Sequence, residues 1–561
     1  MIKKVLAIIL AFLYSIVYIV VGPIIKTRNL SFDSSDVLSF VLCFVICLAI
    51  NIFLFWAIPK CKFNIKIKRI DRCIDKLGDR KLFFIIWIFI FISWIPAYLI
   101  FYPGILAYDM ISQVNNALGE IATNHHPVLH TWLIRIFMRL GDNLFSEYEY
   151  GIGLLSILQM VMLSYALSRL VMLLKKKNVP ILIVILTAMF SAIWFMNACL
   201  SVTMIKDTLF AAFFVLFACH FTEIVLNPVE YSKQKKNLII LPIISFLMCA
   251  LRNNGIHIYV FCFAVLLVLR ISQIKKTKMF IALIVAIMLP IFIYKIYTGP
   301  VFEACGIRQG EVREALCIPI QQLQYVAIDK ADELTNEQME LMNYYIDNLE
   351  WREWSPHRDY NPFFADPAKS CFYSDNYNND PLAFWKYYLQ LGKQYPKEYI
   401  VAFLSNTLGY WYPGYYEYSY VVYENYSPDE FIEPLERKSI GELPMIENYY
   451  KSVCTSEFWR ETPILRLFFV PGFSIWILIY ALILAWKKKE DLRKVVPIFL
   501  PLIAQYGIML LSPMSSFRYS WPFYLLLPIS FVGIFGSAKS NSIKEESVKE
   551  TLENKNDVAN I

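Results

Sequence analysis

The side chains able to do chemistry sit in four places along this sequence. The first is Asp109, which follows the apolar segment 82–101 and a Tyr102-Pro103-Gly104 turn. A carboxylate there suits a general base for an incoming hydroxyl, or a cation ligand; a loop acid or helix cap is the plain alternative. The second is His125, His126 and His130, three of the chain's six histidines. His126 and His130 are four apart and share a helix face as zinc ligands do, but no Cys or Glu nearby completes a set. They read otherwise as contacts to a sugar or phosphate, or as the cap of a surface helix. The third is Lys206-Asp207, a cation for an anionic group, or a snorkelling lysine beside a helix N-terminal acid. The fourth is Arg252, with Asn253 next to it, and Arg518, followed by Tyr519. A guanidinium matches phosphate through its planar fork, and it also anchors helices at an interface. Neither arginine has a carboxylate neighbour in sequence.

These residues lie between long apolar runs. Hydrophobic residues make up 57% of the 561-residue chain, more than a soluble core of this size calls for. Ionisable groups at membrane depth are costly and therefore functional candidates. Twelve segments read as transmembrane spans: 5–22, 37–58, 82–101, 150–174, 179–199, 205–226, 238–251, 255–270, 279–297, 463–486, 495–512 and 519–536. The 238–251 and 255–270 pair is split by Arg252-Asn253-Asn254-Gly255 and reads as a broken helix or a tight hairpin.

Basic residues orient the spans. The bridge Lys60 to Lys81 carries nine Lys/Arg against three Asp, and lysine clusters recur at 175–177, 233–236, 275–278 and 487–494. They fall at every second bridge, so the positive-inside rule predicts both termini in the cytoplasm and all four candidate sites on the outer face of the plasma membrane. The net charge of +7 is then mostly a topology signal, not a footprint for nucleic acid. The first apolar run has no small-residue cleavage site and reads as an uncleaved anchor.

The expected organisation is two N-terminal spans and a basic bridge (1–81), a membrane core with its first outer loop at 102–149 (82–297), an outer domain (298–462), three C-terminal spans (463–538) and a polar, disordered tail (539–561). Residues 298–460 hold 25 acidic and 13 basic residues. Within them, Pro319 to Tyr345 reads as helical and Trp351 to Asn379 as loop. Gly409 to Tyr426 holds eight tyrosines and a tryptophan, which suits interface packing or a platform for sugar rings. Cys305, Cys317, Cys371 and Cys454 form two disulfides in one of three pairings, or stay as thiols. Pro127 opens an amphipathic helix, with Leu129, Trp132, Leu133, Ile136 and Phe137 on one face, that lies along the bilayer surface.

One candidate base, two or three cations and a dense membrane suit transfer from a lipid-linked phosphate donor. The order of these residues resembles the GT-C superfamily of polyprenyl-phosphate-sugar glycosyltransferases, especially the dolichyl-phosphate-mannose-protein mannosyltransferase and lipid A aminoarabinose transferase branch. Asp109 followed by His126-Pro127-Val128-Leu129-His130-Thr131-Trp132 is similar to that family's loop acid and its His/Lys-Pro-Pro-Leu helix entry. Lys206-Asp207, Arg252-Asn253-Asn254-Gly255 and Arg518-Tyr519 with Pro522 resemble its later elements. The departures are two extra N-terminal spans, Met110 in place of a second acid, Val128 in place of the second Pro, Arg252 in place of Lys, and an outer domain that precedes the last three spans. The whole chain also resembles a group of bacterial multi-pass membrane proteins, which adds no function.

The resemblance implies an all-α polytopic membrane protein with a GT-C-like core and a mostly helical, loop-rich extracytoplasmic domain. Asp109 would be the catalytic base of an inverting transferase. Lys206, Arg252 and Arg518 would hold the donor phosphate, with Tyr102, His125, His126, His130, Asp207, Asn253 and Tyr519 around the substrates. The partners implied are a polyprenyl-phosphate-linked sugar, a glycan, lipid or protein acceptor, and membrane lipids. No cofactor is required, and a divalent cation is compatible. Two rivals are a polysaccharide polymerase or ligase acting on polyprenyl diphosphates through His357 and Arg358, and a transporter, which calls for inverted repeats and mid-span polar residues.

Overall fold

The computed structural model describes residues 2–27, 30–58, 68–107, 109–346, 360–415, 435, 443–455, 462–488 and 492–536. His357, Arg358, residues 416–426 of the tyrosine-rich run and the polar tail lie outside them. Among the described residues every regular element is helical, and extended segments meet only at isolated bridges.

Among the described residues, thirteen α-helices run from the N-terminal end to the start of the polar segment. They are α1 (Ile2–Thr27), α2 (Ser34–Ala57), α3 (Lys68–Ile100), α4 (Met110–Leu118), α5 (Val128–Phe145), α6 (Tyr148–Lys176), α7 (Ile181–Ile193), α8 (Phe195–Ser201), α9 (Lys206–Leu226), α10 (Pro228–Lys233), α11 (Lys235–Leu251), α12 (Gly255–Ile274) and α13 (Phe280–Ile296). Seven helices among the described residues are long and apolar enough to cross a membrane, and eight if the bent α7–α8 pair is one span.

That is fewer than the twelve segments expected, and each shortfall has a local cause. The 179–199 segment bends by 50° at Trp194. The 238–251 segment ends at Arg252, leaving the 17-residue α11. In the last three segments, prolines shorten or break the helices: Pro471 opens one, Pro497 lies in a 3₁₀ turn with Pro501 at the start of the helix after it, and Pro528 sits between Phe517–Leu526 and Ser530–Phe535.

The bundle is built around α6 and α9. Helix α9 is apolar on every side, as a helix surrounded by others must be, and its residues are almost all buried. Its phenylalanines form a ladder: Phe210 stacks on Phe214, and Phe217 and Phe221 pack on Tyr259 and Phe263 of α12. Trp521 donates from Nε1 to Asn197 Oδ1 (3.0 Å), tying the α7–α8 bend to the helix Phe517–Leu526. Helices α1 and α2 lie against the helix Pro471–Lys488 through Tyr14–Trp476 and Phe55–Tyr480.

The polar segment has its own small core of Leu323, Met342, Phe384, Leu391 and Tyr399. The helical run expected over Pro319 to Tyr345 is two helices, Cys317–Asp329 and Asn336–Tyr345. Thr335 starts the second with a capping box, accepting from Gln338 N while Gln338 Oε1 accepts from Thr335 N. The described part of the expected 351–379 loop contains two single-turn helices, Asp366–Ser370 and Ser374–Asn379. This unit seats on the turn before Phe517: Ala365 N donates to Pro513 O (2.7 Å) and Asn406 Nδ2 to Ser512 O (3.0 Å). Cys305 and Cys317 are free thiols, and Cys371 is a thiol that donates to Pro367 O, so these three are not joined in disulfides. The side chain of Cys454 lies outside the described residues.

Candidate active site at one end of the bundle

Five charges from four places in the sequence meet because four helix ends meet. Asp109 is at the N-cap position of α4, Lys206 and Asp207 open α9, Arg252 is at the C-cap of α11, and Arg518 lies in the first turn of Phe517–Leu526. Two extended segments hold the first pair in register. Ile105 N donates to Val202 O (3.0 Å) and Met204 N to Ile105 O (3.1 Å). Helix α6 fixes both segments from behind, with Ser156 Oγ donating to Pro103 O and Gln159 Nε2 to Thr203 O. Gly104 makes this approach feasible, since a Cβ there would lie 2.8 Å from Ser156 Oγ and 3.0 Å from Val202 O. Asp109 then follows four residues after one strand-like contact and Lys206 three after the other.

The result is a charge network. Lys206 Nζ donates to Asp109 Oδ2 (2.8 Å) and to His126 Nδ1 (3.4 Å). Arg518 Nη1 lies 3.4 Å from Asp109 Oδ2, and its Nε lies 3.6 Å from Asp207 Oδ2. Arg252 donates to Asp207 Oδ1. Tyr519 sits between the arginines: its hydroxyl accepts from Arg518 Nη2 (2.7 Å), and both guanidinium carbons lie over its ring, at 4.7 and 5.3 Å. Asp207, fully buried, is thus the counter-ion that sequence proximity did not supply for either arginine.

The plain readings of two residues fail on geometry. Asp109 occupies an N-cap position but makes no side-chain cap bond. Pro127, not His126, is the N-cap residue of α5, and it offers no side-chain cap. His126 instead lies against Lys206.

Burial and charge set the protonation states outside the spans. Burial pushes Asp109 up, but Lys206 and Arg518 outweigh it and hold the carboxyl well below the usual range. His126 is pushed down to about 3 by burial and by Lys206. His130, fully buried with Nδ1 3.0 Å from Gln113 Oε1, is pushed down to about 4 by burial. At neutral pH both imidazoles are neutral, so His126 Nδ1 accepts from Lys206 and its proton sits on Nε2.

A cavity of about 760 Å³ opens beside this network. Asp109, His125, His126, Lys206, Arg252, Asn253 and Tyr519 line it. Arg518 and Asp207 lie a layer behind, and His130 is buried against Gln113. Tyr102 is not on the cavity: it is packed on Gly153, Tyr98 and Tyr150. The opposite wall comes from the polar segment, with Glu314, Asp366 and Lys369 in one ion cluster at 2.6–2.7 Å. Asn124 clamps the two walls, accepting from Asn253 Nδ2 through its carbonyl and bonding Gln309 and Gly310 through its side chain. That wall gave no sequence signal, because its residues are ordinary polar ones brought in by folding. Among the described residues no three or more His, Cys, Asp or Glu side chains are grouped to hold a metal ion.

Fold and site together define an all-helical, multi-span architecture of membrane type with a buried charged cluster at one end. The chain belongs to the family described as a family of unknown function, DUF6020, whose model matches residues 119–549. The matched region contains every charged residue of the cluster except Asp109. No curated protein and no solved structure matches the chain.

Proposed function

We propose that the protein is an inverting glycosyltransferase that moves a sugar from a polyprenyl-phosphate carrier to a hydroxyl of a glycan, lipid or protein at the extracytoplasmic face. The observation that carries this reading is the charge balance of the cluster. Lys206, Arg252 and Arg518 give three positive charges against the two negative charges of Asp109 and Asp207. Buried charges demand partners, and the phosphodiester of a lipid-phosphate sugar brings a negative charge to the net positive charge that the described residues of the cluster carry. Sidedness rests on the basic bridges. Lys175 pairs with Asp79, at the α3 end opposite to the one leading to Asp109, so the lysine-rich ends and the cluster are at opposite ends of the spans.

In this mechanism the donor phosphate sits on Arg252 and Lys206, beside Tyr519, with Arg518 behind. Asp109 accepts the proton of the acceptor hydroxyl as its oxygen attacks the anomeric carbon. The bond from that carbon to the phosphate oxygen breaks, and the polyprenyl phosphate departs with the electron pair. The cations stabilise the charge that collects on it in a water-poor site. At rest Asp109 is a weak base because Lys206 holds it. A donor phosphate competes for Lys206 and returns basicity to the carboxylate when the substrate is present.

The test is transfer of labelled sugar from a panel of polyprenyl-phosphate hexoses to endogenous envelope acceptors by purified protein. Wild type is expected to transfer at least one sugar, and Asp109→Asn to lose the activity while remaining folded, at lower thermal stability, and still binding the donor. An Asp109→Asn protein as active as wild type ends the assignment.

A further inference from the structure

The helix Leu500–Leu510, with the turn before it, forms the apolar stretch Val496–Leu510, in which Gln505 is the one amide. An amide in such a helix has to find partners, since the surroundings supply few. Gln505 finds half of them. Its Nε2 donates to Tyr519 O (3.1 Å), which fixes the orientation of the amide. Its Oε1 is buried and accepts no hydrogen bond among the described residues. The residue is 1% exposed, yet it lines the same cavity as Arg252 and Tyr519. Its neighbour Tyr506 shows the contrast, with the hydroxyl bonded to Tyr410 O (3.2 Å).

A carboxamide oxygen only accepts, so its partner has to bring an O–H or N–H. Of the parts of a lipid-phosphate sugar, the phosphate diester oxygens only accept and the polyprenyl chain does neither. The sugar alone carries donors. We infer that Gln505 Oε1 accepts a hydrogen bond from a hydroxyl or amide N–H of the transferred sugar and so selects which sugar the site holds. This rests on the donor reading above. A buried acceptor left unpaired costs about 1–3 kcal/mol, so sugars without a donor at that position are disfavoured roughly 10- to 100-fold.

The experiment is a binding series on the purified full chain, with decyl phosphate and a set of decyl-phospho-hexoses as probes. For wild type, at least one hexose probe is expected to bind tenfold or more tightly than decyl phosphate. One of that hexose's single-deoxy analogues should lose roughly 10- to 100-fold. Gln505→Met should erase the hexose advantage and bind decyl phosphate as wild type does, which also shows that it folds. If Gln505→Met fails to bind decyl phosphate, Gln505→Asn and the deoxy series carry the test. The inference is overturned if no hexose beats decyl phosphate, if no single-deoxy analogue loses affinity, or if the Gln505 variants keep the hexose advantage. Equal losses for decyl phosphate and hexose probes also overturn it, since they mark a purely structural role. Arg252→Met separates the two readings: unchanged decyl phosphate binding there sinks the phosphate site itself, whatever Gln505 does.

Discussion

At the scale of single residues, Asp207 and the two buried histidines carry the sharpest expectations. Asp207 balances Arg252 and Arg518 from a fully buried position. Asp207→Asn leaves both guanidinium groups without that charge and should cost about 3–5 kcal/mol, read as a fall in thermal stability in detergent. Asp207→Asn combined with Arg252→Met should cost less than the sum of the two single changes, because the second removes one of the stranded charges. The histidines give a pH signature. Their folded values, about 3 for His126 and about 4 for His130, lie below the ordinary 6.5, so the unfolded chain binds protons that the folded chain does not. Stability is therefore full above pH 6.5 and falls with pH through the window from 6.5 to 3. Asp109 acts in the same direction only in more acid solution: its contribution is present above the ordinary carboxylate value and is lost as pH falls through its depressed folded value. Melting temperatures from pH 7.5 to 4.5 should drop in wild type and drop less in His126→Asn. A flat wild-type profile contradicts neutral burial.

The residue types at the site were legible in the sequence, and their partners were not. Lys206, Arg252 and Arg518 stood out because the bridges alternating with the lysine-rich ones are poor in Lys and Arg, but the pairing of Arg252 with Asp207 spans a separation that no local pattern encodes. Gln505 did carry a signal, an amide inside an apolar run, which charge-centred reading passed over. Tyr102 misled for the opposite reason. Its position beside a turn resembles a binding aromatic, whereas the missing side chain of Gly153 makes a packing slot for its ring.

At the scale of elements, the decisive contact is between the segment leading to Asp109 and the one leading to Lys206. Gly104→Ala puts a methyl group against Ser156 Oγ and Val202 O. One of those atoms is backbone and gives little, so the change should cost about 1–3 kcal/mol and weaken transfer by spreading Asp109 from Lys206. The measurement is activity beside thermal stability. Wild-type values for both would mean that the segments part without consequence. The helix start at Thr335 lies inside a run that reads as continuous from Pro319 to Tyr345, whereas the break at Arg252-Asn253-Asn254-Gly255 follows from local chemistry and was readable. Span lengths were less so, because proline and the α7–α8 bend divide runs that composition alone joins.

At the scale of the whole molecule, the alternation of basic bridges gives a direction to the bundle, and the exposed thiol of Cys305 offers a reporter for it. A membrane-impermeant maleimide should label Cys305 in intact cells, and Cys305→Ser should lose that label. Labelling only after lysis would put the polar segment and the cluster on the cytoplasmic side. The central claim concerns what the three cations of the cluster hold. A cryo-EM structure of the purified chain with a decyl-phospho-hexose tests it most directly. The phosphate is expected within hydrogen-bond distance of Arg252, with Lys206 drawn from Asp109 toward it and the sugar beside the freed carboxylate. A phosphate bound elsewhere, with the Lys206–Asp109 pair intact, would contradict it.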